Sequence, residues 1–210
     1  MRELIAQGAE AKIFKFNIDN KNYISKERIS KLYRIKELDE KIITSRNKRE
    51  ILILEKAEKI IDVPKILNKT NFTITMEFID GKKIADCFNE FDDKERIKIC
   101  KIIGKNIALL HNNNIIHGDL TTSNMIIKDN NVYFIDFGLS FIETKNEHKA
   151  VDLHLLKQAI QSKHYKNFES SLKTIIDEYL GNVNNPKEIM KRFEIVEGRG
   201  RYKNKKKEVK

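Results

Sequence analysis

The stretch that most constrains this chain runs from Ile115 to Gly138, where short apolar runs alternate with polar residues able to do chemistry. Ile115-Ile116 leads into His117-Gly118-Asp119-Leu120. Asn124 stands five residues after the aspartate, and Asp136, in Ile135-Asp136-Phe137-Gly138, twelve after that. Met125 to Lys128 and Val132 to Phe137 flank Asp129-Asn130-Asn131, which reads as a hairpin. Each polar residue alone is ordinary: an aspartate before a turn, a loop asparagine, an Asp-Phe-Gly turn ending a strand. All three in this order, bounded by apolar strands, are far more specific. Phosphoryl transfer explains the set. A γ-phosphoryl group leaving a nucleotide spreads charge over its oxygens, so a catalyst needs a hard cation held by oxygen ligands and a carboxylate aimed at the attacking oxygen. Asp136 and Asn124 would hold the metal, and Asp119 would orient or deprotonate the nucleophile.

Around that stretch the pattern predicts an α+β chain, with strands and one helix first and mainly helices after. Residues 1–18 read as two strands about a turn at Gln7-Gly8-Ala9-Glu10, and residues 22–29 as a third, with Ile24, Lys26 and Arg28 on one face. From Leu38 to Ile61 the period turns helical. Glu50, Ile53, Leu54 and Ala57 share a face there, and Val63-Pro64 ends the helix. Phe72 to Phe78 alternates as a strand closed by Asp80-Gly81, which is the expected lobe boundary. Asp92 or Asp93 caps a helix to Asn112, with Ile97, Ile102, Ile107 and Leu110 among its buried positions. Helices follow over Lys149–Ser162 and Ser170–Leu180, with a shorter one after Pro186. The expected division is residues 1–80 as a sheet lobe with one long helix, 81–198 as a reduced helical lobe, and 199–210 as a basic tail.

Composition narrows the class. At 210 residues and 40% hydrophobic content the chain can bury a core. No apolar run approaches the ~20 residues of a membrane span, and the region after Met1 is not a signal peptide, so no membrane contact and a cytoplasmic address are expected. Cys87 and Cys100 stand apart from any CxxC or Cys/His cluster and read as reduced, partly buried thiols. A net charge of +10 points to a polyanionic partner or a well-solvated surface. Much of the excess lies between Arg199 and Lys207, which reads as a disordered tail or as a phosphate-backbone contact that orders on binding.

The Asp119, Asn124 and Asp136 pattern resembles the protein-kinase superfamily. On that resemblance Lys26, in Tyr23-Ile24-Ser25-Lys26, stands where a third-strand lysine contacts the α and β phosphates, and Glu50 is its helix partner. Glu50 also lies on the apolar face of its helix, where an unpaired carboxylate would be costly. Met76 would stand at the back of the nucleotide pocket and Glu77, Phe78 and Ile79 would form the adenine-contacting hinge. Gln7-Gly8-Ala9-Glu10-Ala11 would cover the phosphates with one glycine of the usual three.

The departures from that superfamily identify a family. Gly118 replaces the arginine that grips a phosphorylated activation loop, Thr121 or Thr122 replaces the catalytic-loop lysine, and no Ala-Pro-Glu segment follows Gly138. The chain resembles the small atypical kinase of the KEOPS complex, the Bud kinase or PRPK family, over nearly its full length. Four stretches carry the match: Gln7 to Ala11; Ser25-Lys26 with Ser30 to Arg34; His117 to Asn124; and Lys149 to Leu153. The resemblance implies a bilobal protein-kinase-like fold with a small β-rich N-lobe and a reduced helical C-lobe. It implies ATP with magnesium, or manganese in its stead, as well as serine autophosphorylation and ATP hydrolysis linked to threonylcarbamoyl modification of adenosine in tRNA. The implied partners are the carbamoyltransferase subunit, to which some members are fused, the other KEOPS subunits, and tRNA through the complex. By the same resemblance Asp152 braces the catalytic loop, with His117 in support, while Arg199, Arg201 and Lys203 are candidates for tRNA contact. Three other readings compete. An aminoglycoside-type phosphotransferase would need a large acceptor insert, for which there is little room. A RIO-type kinase is disfavoured by Phe137-Gly138, and a pseudokinase scaffold by the intact Lys26, Glu50, Asp119, Asn124 and Asp136.

Overall fold

The computed structural model describes residues 2–31 and 33–205, without the side chains of residues 200–205. Strands β1 (Arg2–Gln7), β2 (Ala11–Ile18), β3 (Lys21–Arg28), β4 (Ile66–Lys69) and β5 (Thr73–Glu77) form an antiparallel sheet ordered β1-β2-β3-β5-β4. The β2–β3 hairpin turns on Asp19 and Asn20, at φ +49° and +61°. These side chains tolerate the left-handed region better than most, and paired positive φ values suit a two-residue hairpin. Helix α1 (Lys36–Ala57) lays Glu50, Ile53, Leu54 and Ala57 against the sheet side of the core. It ends before the expected Ile61, because the amides of Ile60 and Ile61 both converge on the Ala57 carbonyl and tighten the last turn. Ile61 is nonetheless buried. Strand β4 escaped sequence reading because its residues after Ile66 are all exposed, so no alternation marks it.

Ser30 to Arg34, one of the stretches that carried the resemblance, anchors the start of α1. Ser30 Oγ, Lys31 N and Arg34 Nη1 donate to the Asp39 carboxylate at 2.7, 3.0 and 3.1 Å. Leu32 lies outside the described residues.

The second half contains β6 (Lys82–Lys83), α2 (Ile84–Cys87), α3 (Asp93–Asn112), β7 (Ile115–Ile116), β8 (Met125–Lys128), β9 (Asn131–Phe134), β10 (Phe141–Ile142), α4 (Asn146–Lys163), α5 (Phe168–Asn182) and α6 (Pro186–Lys205). Strands β6, β8 and β9 form one small sheet and β7 with β10 another. Asp92 caps α3, accepting from Glu95 N at 2.8 Å. Helices α3 and α5 approach closely at Gly104, where a Cβ would lie 2.4 Å from the Ile175 carbonyl oxygen. Ile107 and Leu110 are buried as expected, but Ile97 is 47% exposed, since it falls in the first turns of α3 before the helix meets the core. The helix after Pro186 is long rather than short. Ile189, Phe193 and Val196 continue one apolar face against α4, so α6 runs straight through the expected boundary at residue 199. Residues 199–205 are therefore helical, not a disordered tail, and residues 206–210 lie outside the described part. Both cysteines are free and buried. Burial pushes the Cys100 thiol up to about 11. Among the described residues no helix is long and apolar enough to cross a membrane.

Candidate active site

Three elements bring the first charged cluster together. Strand β3 delivers Lys26, α1 delivers Glu50, and the turn after β9 delivers Asp136. Lys26 Nζ donates to Glu50 Oε1 at 2.6 Å and to Asp136 Oδ1 at 2.7 Å. Burial on its own pushes the ammonium toward neutrality, but the Glu50 and Asp136 carboxylates outweigh it and hold Lys26 above the usual lysine value. Burial would likewise raise Asp136, and the Lys26 charge reverses that, holding the carboxyl below its usual range. Lys21 opens the same strand but is exposed. Lys31, just beyond it, donates to the Ala9 carbonyl oxygen.

Sequence reading placed Arg28 beside Lys26 on one face of β3 without giving it a role. Its guanidinium Nη2 donates to Glu50 Oε2 at 2.5 Å, and its Nη1 lies 3.5 Å from Glu10 Oε2. Glu50, 1% exposed, thus serves two cations. The Gln7 to Ala11 turn is consequently tied down by charge. Glu10 pairs with Arg46 as well as Arg28, and Ile29 N donates to Glu10 O at 3.0 Å. Ala6 and Ile13, on either side of this turn, line the cavity between the sheet and β8 described below, and Gln7, Gly8, Ala9, Glu10 and Ala11 do not.

Asp152 on α4 holds the start of the loop that carries Asp119. Its carboxylate accepts from His117 N at 2.7 Å and Gly118 N at 2.9 Å, and His111 Nε2 lies 3.3 Å from it. Gly118 has φ +78°, and a Cβ there would lie 2.5 Å from the Leu139 carbonyl oxygen. Farther along, Asn124 Nδ2 donates to both Asp119 O and Asp119 Oδ2 at 2.9 Å. With both bonds made by the nitrogen, Oδ1 is the atom of the Asn124 amide left for a cation. Asp136 sits at φ +60° with its side chain half exposed.

His117 packs 4.9 Å from Phe137, and its Nε2 lies 3.2 Å from the Ile135 carbonyl oxygen. Burial lowers its pKa despite the nearby Asp152, Asp136 and Asp119 carboxylates, and burial with Lys163 lowers His164 likewise. The unfolded chain, with imidazoles near 6.5, then binds more protons than the folded one. Stability should be full above that pH and decline as the pH falls through it. Thermal unfolding followed from pH 8 to 5.5 should show the midpoint dropping below about pH 6.5; a flat profile would contradict neutral burial.

Between the sheet and β8 lies a cavity of about 250 Å³. Ile24, Met76, Ile126 and Ile135 give it apolar walls, and Lys26, Asn124 and Asp136 stand at its polar end. Glu77, Phe78 and Ile79 line it as well. The Glu77 and Phe78 amides donate to Lys65 O and Asn22 O. Ile79, 4% exposed, has no acceptor for its N–H among the described residues. Ser123, from the His117 to Asn124 stretch, lines the cavity as well, and so does Lys83, which nothing in its local sequence marks. Arg199 lies away from this cavity, in α6, paired with Glu147. The side chains of Arg201 and Lys203 are outside the described residues.

A small antiparallel sheet over a helical lobe, with a lysine–glutamate pair facing the Asp119, Asn124 and Asp136 group, defines a kinase-like protein. Comparison with known proteins agrees. A family model described as a RIO domain matches residues 7–162. The KEOPS complex subunit Bud32 of Pyrococcus abyssi is 40% identical over 212 residues, 96% of each chain. A probable bifunctional tRNA threonylcarbamoyladenosine biosynthesis protein of Methanococcus vannielii is 40% identical over 204 residues, 96% of this chain and 36% of that one. Among solved structures, WaaP in complex with acyl carrier protein has a TM-score of 0.67 at 10% identity, covering 97% of this chain and 88% of that one, and so shares the fold alone. The chain belongs to the Bud32 family of atypical kinases, within the RIO domain family.

That assignment corrects the expectation that Phe137-Gly138 sets the chain apart from RIO-type kinases. The dipeptide answers to local packing: Phe137 is fully buried, and a Cβ on Gly138 would lie 3.3 Å from Lys26 Nζ.

Proposed function

We propose that the chain is an ATP-dependent serine/threonine kinase and ATPase of the KEOPS complex, supporting threonylcarbamoyl-adenosine modification of tRNA. The observation that carries the chemistry is the Lys26 ammonium shared between Glu50 and Asp136 at the polar end of an apolar cavity. The cavity fits a nucleotide. Its walls suit a flat base, the Ile79 N–H, without an acceptor among the described residues, can donate to a ring nitrogen, and Lys26 supplies charge to phosphates. Asp136 and Asn124 offer hard oxygen donors suited to magnesium. When bound, magnesium would neutralise charge building on the phosphate oxygens. Asp119, steadied by Asn124, accepts the proton of a serine hydroxyl or of water as that oxygen attacks the γ-phosphorus and the bond to the departing ADP oxygen breaks. Glu50 and Arg28 fix Lys26 in place. The names of the relatives support the KEOPS setting: one is a subunit of that complex, and another carries the matching segment in a longer bifunctional protein. The carbamoyltransferase subunit is accordingly the expected partner, with tRNA reached through the complex.

The deciding experiment is turnover of radiolabelled ATP by wild type and Asp136→Ala, with and without the carbamoyltransferase subunit and tRNA. Wild type should turn over slowly alone and faster in the complex, with Asp136→Ala inactive in both. Unimpaired hydrolysis by Asp136→Ala would refute the site.

A further inference from the structure

Asp152 holds the start of the catalytic loop, but its middle, where Thr121 or Thr122 stands in place of a lysine, is held from elsewhere. His164, the first residue after α4, is 1% exposed and has both ring nitrogens engaged. Nε2 lies 3.2 Å from Thr122 Oγ1, and Nδ1 lies 3.2 Å from Asn89 Oδ1. The amide of Asn89 settles which nitrogen carries the proton. Its Nδ2 donates to the Lys163 carbonyl oxygen at 3.3 Å, so Oδ1 faces the ring as an acceptor. Nδ1 therefore bears the hydrogen, and Nε2 keeps a lone pair that accepts the Thr122 hydroxyl proton. The ring is further fixed against Phe88, with centroids 4.7 Å apart. Lys163 reinforces the contact, its Nζ donating to Ser123 Oγ at 3.0 Å.

Thr122 opens the single turn that ends at Asn124. The Asn124 carbonyl oxygen in turn accepts from Ile135 N at 3.0 Å, next to Asp136. A hold on Thr122 is therefore a hold on the amide that steadies Asp119 and on the backbone beside Asp136. We propose that His164 is a positioning residue for phosphoryl transfer, clamping the lysine-free catalytic loop through the Thr122 hydroxyl from a ring oriented by Asn89. The proposal rests on the active-site reading given above. Second partners of this kind commonly contribute about 10–100-fold to activity.

Thr122→Val removes the hydroxyl at nearly constant shape. It should lower kcat for ATP turnover by about 10–100-fold while leaving KM for ATP within about twofold, and Thr122→Ser should restore most of the loss. The Thr122→Val/His164→Ala double variant should be no slower than His164→Ala alone, because both changes break one contact. Nitrogen-15 NMR of the wild-type imidazoles should show His164 as the neutral Nδ1–H form. Wild-type kcat in Thr122→Val, additive losses in the double variant, or a proton on Nε2 would each overturn the clamp. If Thr122→Val does not fold, His164→Gln decides: its amide oxygen can accept the same proton, so recovery relative to His164→Ala supports the clamp and equal loss defeats it. Asp136→Ala separates the two levels. An inactive Asp136→Ala beside a fully active Thr122→Val defeats the clamp alone, whereas an active Asp136→Ala defeats the site reading and the clamp with it.

Discussion

Asp119→Asn is expected to reduce kcat for phosphoryl transfer by about 10²–10⁴-fold, the range usual for loss of a positioned acid–base group. The substitution isolates chemistry from geometry. Asparagine keeps the size of the side chain and an oxygen to accept from Asn124 Nδ2, while the second Asn124 bond, to the backbone oxygen of residue 119, is untouched. What is lost is the ability to take a proton from the attacking hydroxyl. KM for ATP should change little, since Asp119 does not line the cavity between the sheet and β8. Steady-state ADP release is the measurement, and more than a tenth of wild-type kcat would rule out Asp119 as the base.

The largest loss of stability should come from Glu50→Ala. Two cations, Lys26 and Arg28, converge on this carboxylate in a setting where the Arg28 side chain is only 4% exposed. Removing it leaves Lys26 with Asp136, but leaves Arg28 with Glu10 alone, at 3.5 Å. Breaking a buried pair from one side costs about 3–5 kcal/mol, because the remaining charge is stranded away from water. For a chain of this size that corresponds to a drop in unfolding midpoint of roughly 6–20 °C. Urea unfolding should move in proportion, and turnover should fall as Lys26 loses its hold. A midpoint within about 2 °C of wild type would mean that Glu50 is not the keystone of the cluster.

The parts of this molecule legible in its sequence are those whose cause is local. Residues 115–138 could be read because Asp119, Asn124 and Asp136 follow one another within a single hairpin-bearing segment, and Glu50 because a carboxylate on an apolar helix face demands a partner. The Asp19-Asn20 and Asp129-Asn130 turns carry their backbone preference in their own side chains, at φ values from +49° to +62°. Arg28, Lys83 and His164 could not be read in this way. Arg28 matters only once β3 faces α1, Lys83 only once β6 pairs with β8, and His164 only when the end of α4 returns to a loop 42 residues earlier. The length of α6 was hidden by its basic composition, which masked a sparse apolar stripe at Ile189, Phe193 and Val196.

Gly118 carries a further consequence. Its backbone lies in a region that side chains avoid, with the Leu139 carbonyl oxygen filling the space a Cβ would need. A Gly118→Arg substitution would meet both obstacles at once. An arginine at this position would therefore first require the chain around Leu139 to be rebuilt, so the backbone of two separate segments, and not one side chain alone, keeps a guanidinium out of this loop.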